Sequence, residues 1–216
     1  MSTAYSEELF KEVPIVGIVR GIKFEDLQQL LPVYRELGFT TIEITMNTEG
    51  VSEMINYAAN HFSGKLNVGA GSVRSMDELK QALAAGAQFI VTPILNRAVV
   101  EYCRDHEVPI FPGAYTPTEV YNAWQYGATA VKIFPSVTGG LTHIKAIQAP
   151  LEMVPLLPTG GISAQNLASY LDVGVFGVGL GGALFPRALI AKQDLEAVGK
   201  TMSEMMHAFR VWKASV

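Results

Sequence analysis

The 216-residue chain is short of cysteine, of charge and of long apolar runs. A single cysteine, Cys103, excludes an intramolecular disulfide, and a reducing compartment is the natural setting for it. Charged residues make up only 17% of the sequence while hydrophobic ones make up 49%. That balance excludes low-hydrophobicity disorder and suits a compact fold with a buried sheet. The formal net charge is -4, so there is no basic footprint for nucleic acid. The apolar runs are strand-sized and broken by Gly or Pro; none approaches the roughly 20 residues of a membrane-spanning helix. Met1 to Glu12 mixes polar and acidic residues and lacks the apolar segment of a secretory leader. The four histidines, His61, His106, His143 and His207, are scattered. None has metal-ligand spacing to a thiol or carboxylate, so no metal is expected.

What is present is alternation. Eight short runs rich in β-branched residues recur along the chain: Ile15–Val19, Thr41–Thr45, Leu66–Val68, Phe89–Val91, Val108–Phe111, Ala130–Ile133, Val154–Leu157 and Val175–Val178. Each is too short for a helix and ends near Gly, Pro, Thr or Arg. Between them lie helical patterns. Leu27, Leu30, Leu31 and Tyr34 share one face of Phe24 to Leu37, and Met76, Leu79 and Leu83 share one face of Met76 to Ala85. Thr116-Pro117-Thr118-Glu119 is a helix start, and Ser163-Ala164-Gln165-Asn166 resembles one. Leu195, Val198, Met202, Met205, Phe209 and Trp212 form a stripe on a final helix. That stripe could be an oligomer seam, but docking on the wall of the fold explains it better.

Strand–helix alternation predicts a parallel sheet. Eight strands without a long linker predict an α/β fold of the (β/α)8 TIM-barrel type, one domain over 1–216 with a short helix before the first strand. The competing architecture is an open doubly wound sheet. Its best support, Gly177-Val178-Gly179-Leu180-Gly181-Gly182, looks loosely like a dinucleotide loop, but no further strand follows to complete the unit.

A barrel carries its site at the C-terminal ends of its strands, and side chains alternate between the two faces of a strand. If Ile42 and Ile44 meet the helices, Glu43 points inward; if Val131 and Ile133 do so, Lys132 points inward. Two opposite charges thus aim into one apolar interior from different strands. A structural ion pair is the competing reading, since structural networks also bury charge. The neighbours argue for chemistry: Arg20 ends the first strand, Ser72 the third, Thr159-Gly160-Gly161 the seventh and Gly179-Leu180-Gly181-Gly182 the eighth. Burial and Arg20 push the Lys132 pKa down while ionised Glu43 pushes it up, and sequence leaves the net direction open. A neutral lysine amine attacks a ketone to give an iminium, an electron sink for carbon–carbon cleavage, and Glu43 is the natural proton shuttle. The paired glycine turns read as an anion site, for phosphate or carboxylate, because glycine lets backbone N–H groups approach closely. Cys103 reads as a buried structural thiol, and Lys145 falls in a helical stretch that makes it an unpromising nucleophile. No metal or organic cofactor is needed by such a mechanism.

Five stretches in order resemble the KDPG/KHG aldolases, class I enzymes acting on 2-keto-3-deoxy-6-phosphogluconate or 4-hydroxy-2-oxoglutarate. They are Glu43–Glu49, Val68–Val73, Phe89–Pro93, Val131–Pro135 and Pro158–Ile162, and the similarity runs from about Val13 to Gly182. The resemblance implies a cytoplasmic homotrimer of barrels, with Lys132 as the Schiff-base lysine and Glu43 as general acid and base. It also implies that Ser72 and Thr159 contact the pyruvyl carboxylate, that Pro93 lines the pocket and that Phe134 packs beside the lysine.

Three positions depart from the common pattern. Asn47 stands where many members carry a carboxylate-binding Arg. The branch acting on the galactonate epimer has Asn there and an Arg-Gly-Ile run like Arg20-Gly21-Ile22, which implies that Arg20 takes the carboxylate. Ser136, where gluconate-type enzymes often have Ala, points to the same branch. Gly182 replaces a Ser whose hydroxyl binds phosphate, so Gly160, Gly161, Gly181 and Gly182 would offer backbone N–H groups alone. Two other functions fit the residues: a different phosphate-binding barrel enzyme, isomerase or synthase, in which Lys132 serves only as a charge, and a non-catalytic barrel that binds a sugar acid.

Overall fold

The structure is a computed structural model and describes residues 4–216. The first three residues of the Met1–Glu12 stretch therefore lie outside the described residues. Nine strands follow in chain order: β1 (Ile15–Val19), β2 (Thr41–Thr45), β3 (Asn67–Gly71), β4 (Ile90–Val91), β5 (Ile110–Phe111), β6 (Gly113–Ala114), β7 (Val131–Ile133), β8 (Leu156–Pro158) and β9 (Val178–Leu180). The helices that matter below are α1 (Glu7–Glu12), α2 (Phe24–Glu36), α3 (Val51–His61), α4 (Met76–Ala84), α5 (Arg97–Asp105), α6 (Pro117–Gln125), α7 (Ser136–Gln148), α8 (Leu167–Leu171), α9 (Arg187–Ala191) and α10 (Leu195–Lys213). Among the described residues no helix is long and apolar enough to cross a membrane.

Every strand pair is parallel. The wall curls and has two hydrogen-bonded pieces, one of six strands in the order β5-β4-β3-β2-β1-β9 and one of three in the order β6-β7-β8. An isolated bridge between Thr159 and Gly179 joins β8 to β9. At the other junction β5 and β6 abut across Pro112. The count is nine rather than eight because proline has no N–H for the ladder. Its carbonyl still accepts from Lys132 N–H at 2.9 Å, which carries the pairing past the break.

The alternation of side chains gives the wall two apolar faces. Ile15, Val19, Ile42, Ile44, Val131 and Ile133 pack outward in one large cluster with helix residues such as Leu27, Leu30 and Val120. Val16, Phe89, Val91, Phe111, Ala130 and Leu157 form a smaller cluster on the inner face. Helix α1 contributes Phe10 to this inner cluster. The Phe10 ring stacks on Phe176 at 4.7 Å between centroids and lies 6.3 Å from Phe111. Burying such a ring is worth about 2–3 kcal/mol, so α1 is an integral part of the fold.

Local signals behave as their chemistry requires. Thr116 caps α6 in a full capping box with Glu119, and Pro117 sits in the first turn. Ser163 does not cap a helix: α8 begins at Leu167, and the Asn166 side chain turns back to accept from Ser163 N–H at 2.8 Å. Asparagine competes well for such local turns. The stripe on α10 is buried within the chain, with Val198, Met202, Met205 and Phe209 in the main core and α2, α8 and α9 as neighbours.

Candidate active site

The middle of β2 and of β7 place Glu43 and Lys132 on the inner face, above the aromatic cluster. Ile42 and Ile44, and Val131 and Ile133, go to the helices, so strand parity leaves the two charged residues nowhere else to point. Glu43 is 1% exposed and Lys132 4% exposed. Lys132 Nζ lies 3.8 Å from Glu43 Oε1, too far for a hydrogen bond. Neither carboxylate oxygen has a hydrogen-bond partner in the fold. Buried polar atoms without partners are scarce in native proteins and call for a cause; a reacting group that supplies the partner during turnover is such a cause.

Glycine makes this arrangement possible. Gly69 pairs in register with Glu43, and a Cβ there would sit 2.5 Å from the Phe89 ring. A Cβ on Gly71 would collide with the Glu43 carboxylate itself. On the far side a Cβ on Gly179 would strike the Thr159 hydroxyl.

Burial dominates the electrostatics of the pair. Desolvation raises the Glu43 pKa against the opposing pull of Lys132 and then Arg20. Desolvation lowers the Lys132 pKa, with Glu43 opposing it and Arg20 assisting. The direction left open by sequence is therefore downward for the amine. Both shifts favour an uncharged amine beside a protonated carboxyl, the forms needed for attack on a carbonyl and for donation of a proton.

A cavity of about 400 Å³ opens over the lysine. Lys132, Arg20, Thr159, Phe134, Gly160, Gly181 and Gly182 line it, together with Ile18, Phe185 and Arg187. Lys132 Nζ lies 5.4 Å from the centre of the Phe134 ring, within cation–π range. Arg20 Nη2 donates to Ser72 Oγ at 3.4 Å, and Ser72 occupies a left-handed conformation with φ 56°. Thr159 N–H donates to Ile133 O, and Ser136 N–H donates to Thr159 O, which fixes the ends of β7 and β8 together.

Asn47, Pro93, Ser136 and Gly161, also singled out from sequence, lie outside the lining of this cavity. Asn47 is exposed beyond β2. Pro93 follows β4 with its backbone packed toward Gly113. Ser136 is buried, and its hydroxyl lies 3.5 Å from that of Tyr170. Gly161 is exposed, with φ 78° and Val137 close to where a Cβ would be. Three further residues near the site were given no role from sequence. Thr48 is buried and accepts from Gly21 N–H at 3.0 Å, which anchors the turn that follows Arg20. Thr45, inward by the same parity as Glu43, lies 3.1 Å from the Thr48 hydroxyl. Arg187 is the first basic residue after the last glycine turn. Among the described residues no group of three or more His, Cys, Asp or Glu could hold a metal ion.

The chain is 30% identical over 200 residues to the 2-dehydro-3-deoxy-6-phosphogalactonate aldolase of Escherichia coli (strain K12), covering 92% of this chain and 96% of that one. It is 35% identical over 167 residues to the 2-dehydro-3-deoxy-phosphogluconate aldolase of Treponema pallidum, covering 76% and 79%. A crystal structure of KDPG aldolase from Legionella pneumophila, with pyruvate captured at low pH as a covalent carbinolamine intermediate, superposes with a TM-score of 0.83 at 26% identity, over 91% of this chain and 96% of that one. Residues 6–201 match the sequence profile of the KDPG and KHG aldolases, and the chain belongs to that family.

Proposed function

We propose that this chain is a class I aldolase that cleaves a 2-keto-3-deoxy-6-phospho sugar acid, of the gluconate or galactonate series, to pyruvate and glyceraldehyde 3-phosphate. The same machinery would split 4-hydroxy-2-oxoglutarate to pyruvate and glyoxylate. The observation that carries this reading is the buried Lys132–Glu43 pair, 3.8 Å apart, of which Lys132 lines an open cavity. The covalent pyruvate carbinolamine of the Legionella relative supports it.

The neutral Lys132 amine attacks the keto carbon, and its proton passes to the new hydroxyl to give a carbinolamine. Protonated Glu43 donates to that hydroxyl, which leaves as water, and the lysine is left as an iminium. Glu43, now ionised, takes the proton of the C4 hydroxyl. The C3–C4 bond electrons flow to the iminium, the aldehyde departs, and an enamine of pyruvate remains on Lys132. Protonation at C3 and hydrolysis of the imine release pyruvate and restore the lysine. Arg20, Ser72 and Thr159 are assigned to the substrate carboxylate, and Phe134 to the face of the imine. Asn47, Pro93 and Ser136 are assigned to the pocket surround, and the backbone of Gly160, Gly161, Gly181 and Gly182 to the phosphate.

The architecture that fits is a single closed (β/α)8 barrel, with β5 and β6 as one stave broken at Pro112. The Thr159–Gly179 bridge and the Lys132-to-Pro112 hydrogen bond support it. We further infer a cytoplasmic homotrimer. Family membership supports the assembly. The lone thiol of Cys103, buried and pushed up to about 12, suits a reducing setting.

The test is mass spectrometry after incubation with pyruvate and borohydride. A stable adduct on the Lys132 peptide, absent from Lys132→Ala, is the expected result. No adduct at saturating pyruvate would leave Lys132 as a charge only and would defeat the aldolase reading.

A further inference from the structure

The cavity reaches well beyond the reacting lysine. Lys132, Thr159, Gly160, Gly182 and Arg187 all line it, and about 400 Å³ is room for a whole small ligand rather than a three-carbon imine alone. Its lining contains three basic side chains, Arg20, Lys132 and Arg187, and no acidic one. Two of them are engaged, Arg20 with Ser72 and Lys132 with Glu43. Arg187 is exposed and its side chain, like that of Arg35, has no hydrogen bond or ion pair among the described residues, whereas Arg74, Arg97 and Arg104 pair with carboxylates. The same side chain also borders a neighbouring groove that contains Asp26. That carboxylate is buried and already accepts from Gln193 Nε2 at 3.1 Å.

Gly182 supplies a second, independent observation. Nothing lies within 4 Å of the place where its Cβ would be. The turn after β9 therefore contributes backbone at the cavity wall but no side-chain donor and no charge. A phosphomonoester held by backbone alone would lack a counter-cation, and a guanidinium is the side chain whose planar fork matches phosphate oxygens two at a time.

We infer that Arg187 is the specificity anchor for the far end of the substrate, gripping a phosphomonoester dianion at the Gly181-Gly182 side of the cavity while Lys132 holds the keto carbon. This rests on the aldolase reading above and adds to it the residue that selects phosphorylated substrates. Arg20, just after β1, and Arg187, beyond the adjoining β9, then supply two cations facing the cavity that holds the nucleophile, the charge required by a substrate that carries both a carboxylate and a phosphate.

The experiment compares wild type, Arg187→Ala and Arg187→Lys on three substrates: the 6-phosphorylated keto-deoxy sugar acid, its unphosphorylated counterpart and 4-hydroxy-2-oxoglutarate. A charge-assisted hydrogen bond lost at this site corresponds to about a ten- to hundredfold fall in kcat/KM. We expect that fall for the phosphorylated substrate in Arg187→Ala, carried mainly by KM, with partial recovery in Arg187→Lys. The preference for phosphorylated over unphosphorylated substrate should collapse by the same factor. An equal loss on all three substrates, no loss at all, or a loss confined to 4-hydroxy-2-oxoglutarate would each overturn the assignment. Borohydride trapping of pyruvate on the wild type separates the two levels. An adduct together with a non-discriminating Arg187→Ala defeats this inference alone, and no adduct defeats the aldolase reading and this inference with it.

Discussion

A lysine amine attacks a ketone only when it is uncharged, and a carboxyl donates a proton only when it holds one. At Lys132 and Glu43 both conditions come from the same cause, removal from water. The pair is coupled, and this gives a test beyond loss of activity. Glu43 opposes the downward shift of Lys132, so Glu43→Gln removes an influence that keeps the amine protonated. Turnover should fall by about 10²- to 10⁴-fold, the usual contribution of a positioned acid and base. The pH dependence of pyruvate trapping should move toward acid, because the amine then becomes free at lower pH. A profile that stays in place, or moves toward alkali, would mean that Glu43 does not act on Lys132 electrostatically. Both residues were legible in the sequence because a strand has a strict two-residue period and β-branched apolar residues, Ile42 and Ile44 or Val131 and Ile133, flank each of them on the helix side. Arg187 was not legible: it follows a glycine turn, and no periodicity tells where a side chain on such a segment points.

Elements hold these residues in place by what they omit. Strand β3 carries Gly69 and Gly71 on its inner face, and the Glu43 carboxylate occupies the space a side chain at 71 would take. Gly71→Ala should therefore displace Glu43 rather than merely tighten the backbone. Overpacking of this kind costs about 1–3 kcal/mol of stability, measurable by chemical denaturation. The activity loss should exceed that of an equally destabilised variant elsewhere in the core, and kcat should fall further than KM rises. Unchanged kcat in a folded Gly71→Ala protein would show that the position of Glu43 is not critical. The same strand illustrates where sequence reading stops. Its start is evident from Leu66-Asn67-Val68, but Gly69, Ala70 and Gly71 carry no β-branched signal, and only pairing with β2 extends it to Gly71. The break at Pro112 was likewise missed, since proline splits a ladder without ending the path of the chain. The capping box of α6 was readable to the residue because its chemistry is local. The start of α8 was not, because Asn166 and Ser163 compete for the same turn.

Across the whole molecule the active pair works against the fold that carries it. Two ionisable groups are buried on the inner face of the wall with no hydrogen bond to Glu43, and such a buried pair commonly contributes less than well-packed apolar residues of similar volume. Glu43 titrates above its ordinary 4.5 in the folded chain. Its penalty is absent when the carboxyl is protonated in both states and develops as pH rises past the unfolded value. Lys132 titrates below its ordinary 10.5, so its penalty is full at pH below the folded value and disappears as pH rises past the unfolded one. Between those limits both operate. The double variant Glu43→Leu with Lys132→Met should consequently be inactive yet more stable at pH 7, by about 1–4 kcal/mol on the precedent of other buried pairs, with a higher Tm. Its advantage should shrink toward pH 4.5 and again toward pH 10.5, as one and then the other penalty is relieved in the wild type. Denaturant titrations of both proteins at the three pH values measure this directly. A double variant that is less stable at pH 7 would mean that the pair belongs to the structural framework, and the cost of keeping it could then no longer be ascribed to catalysis.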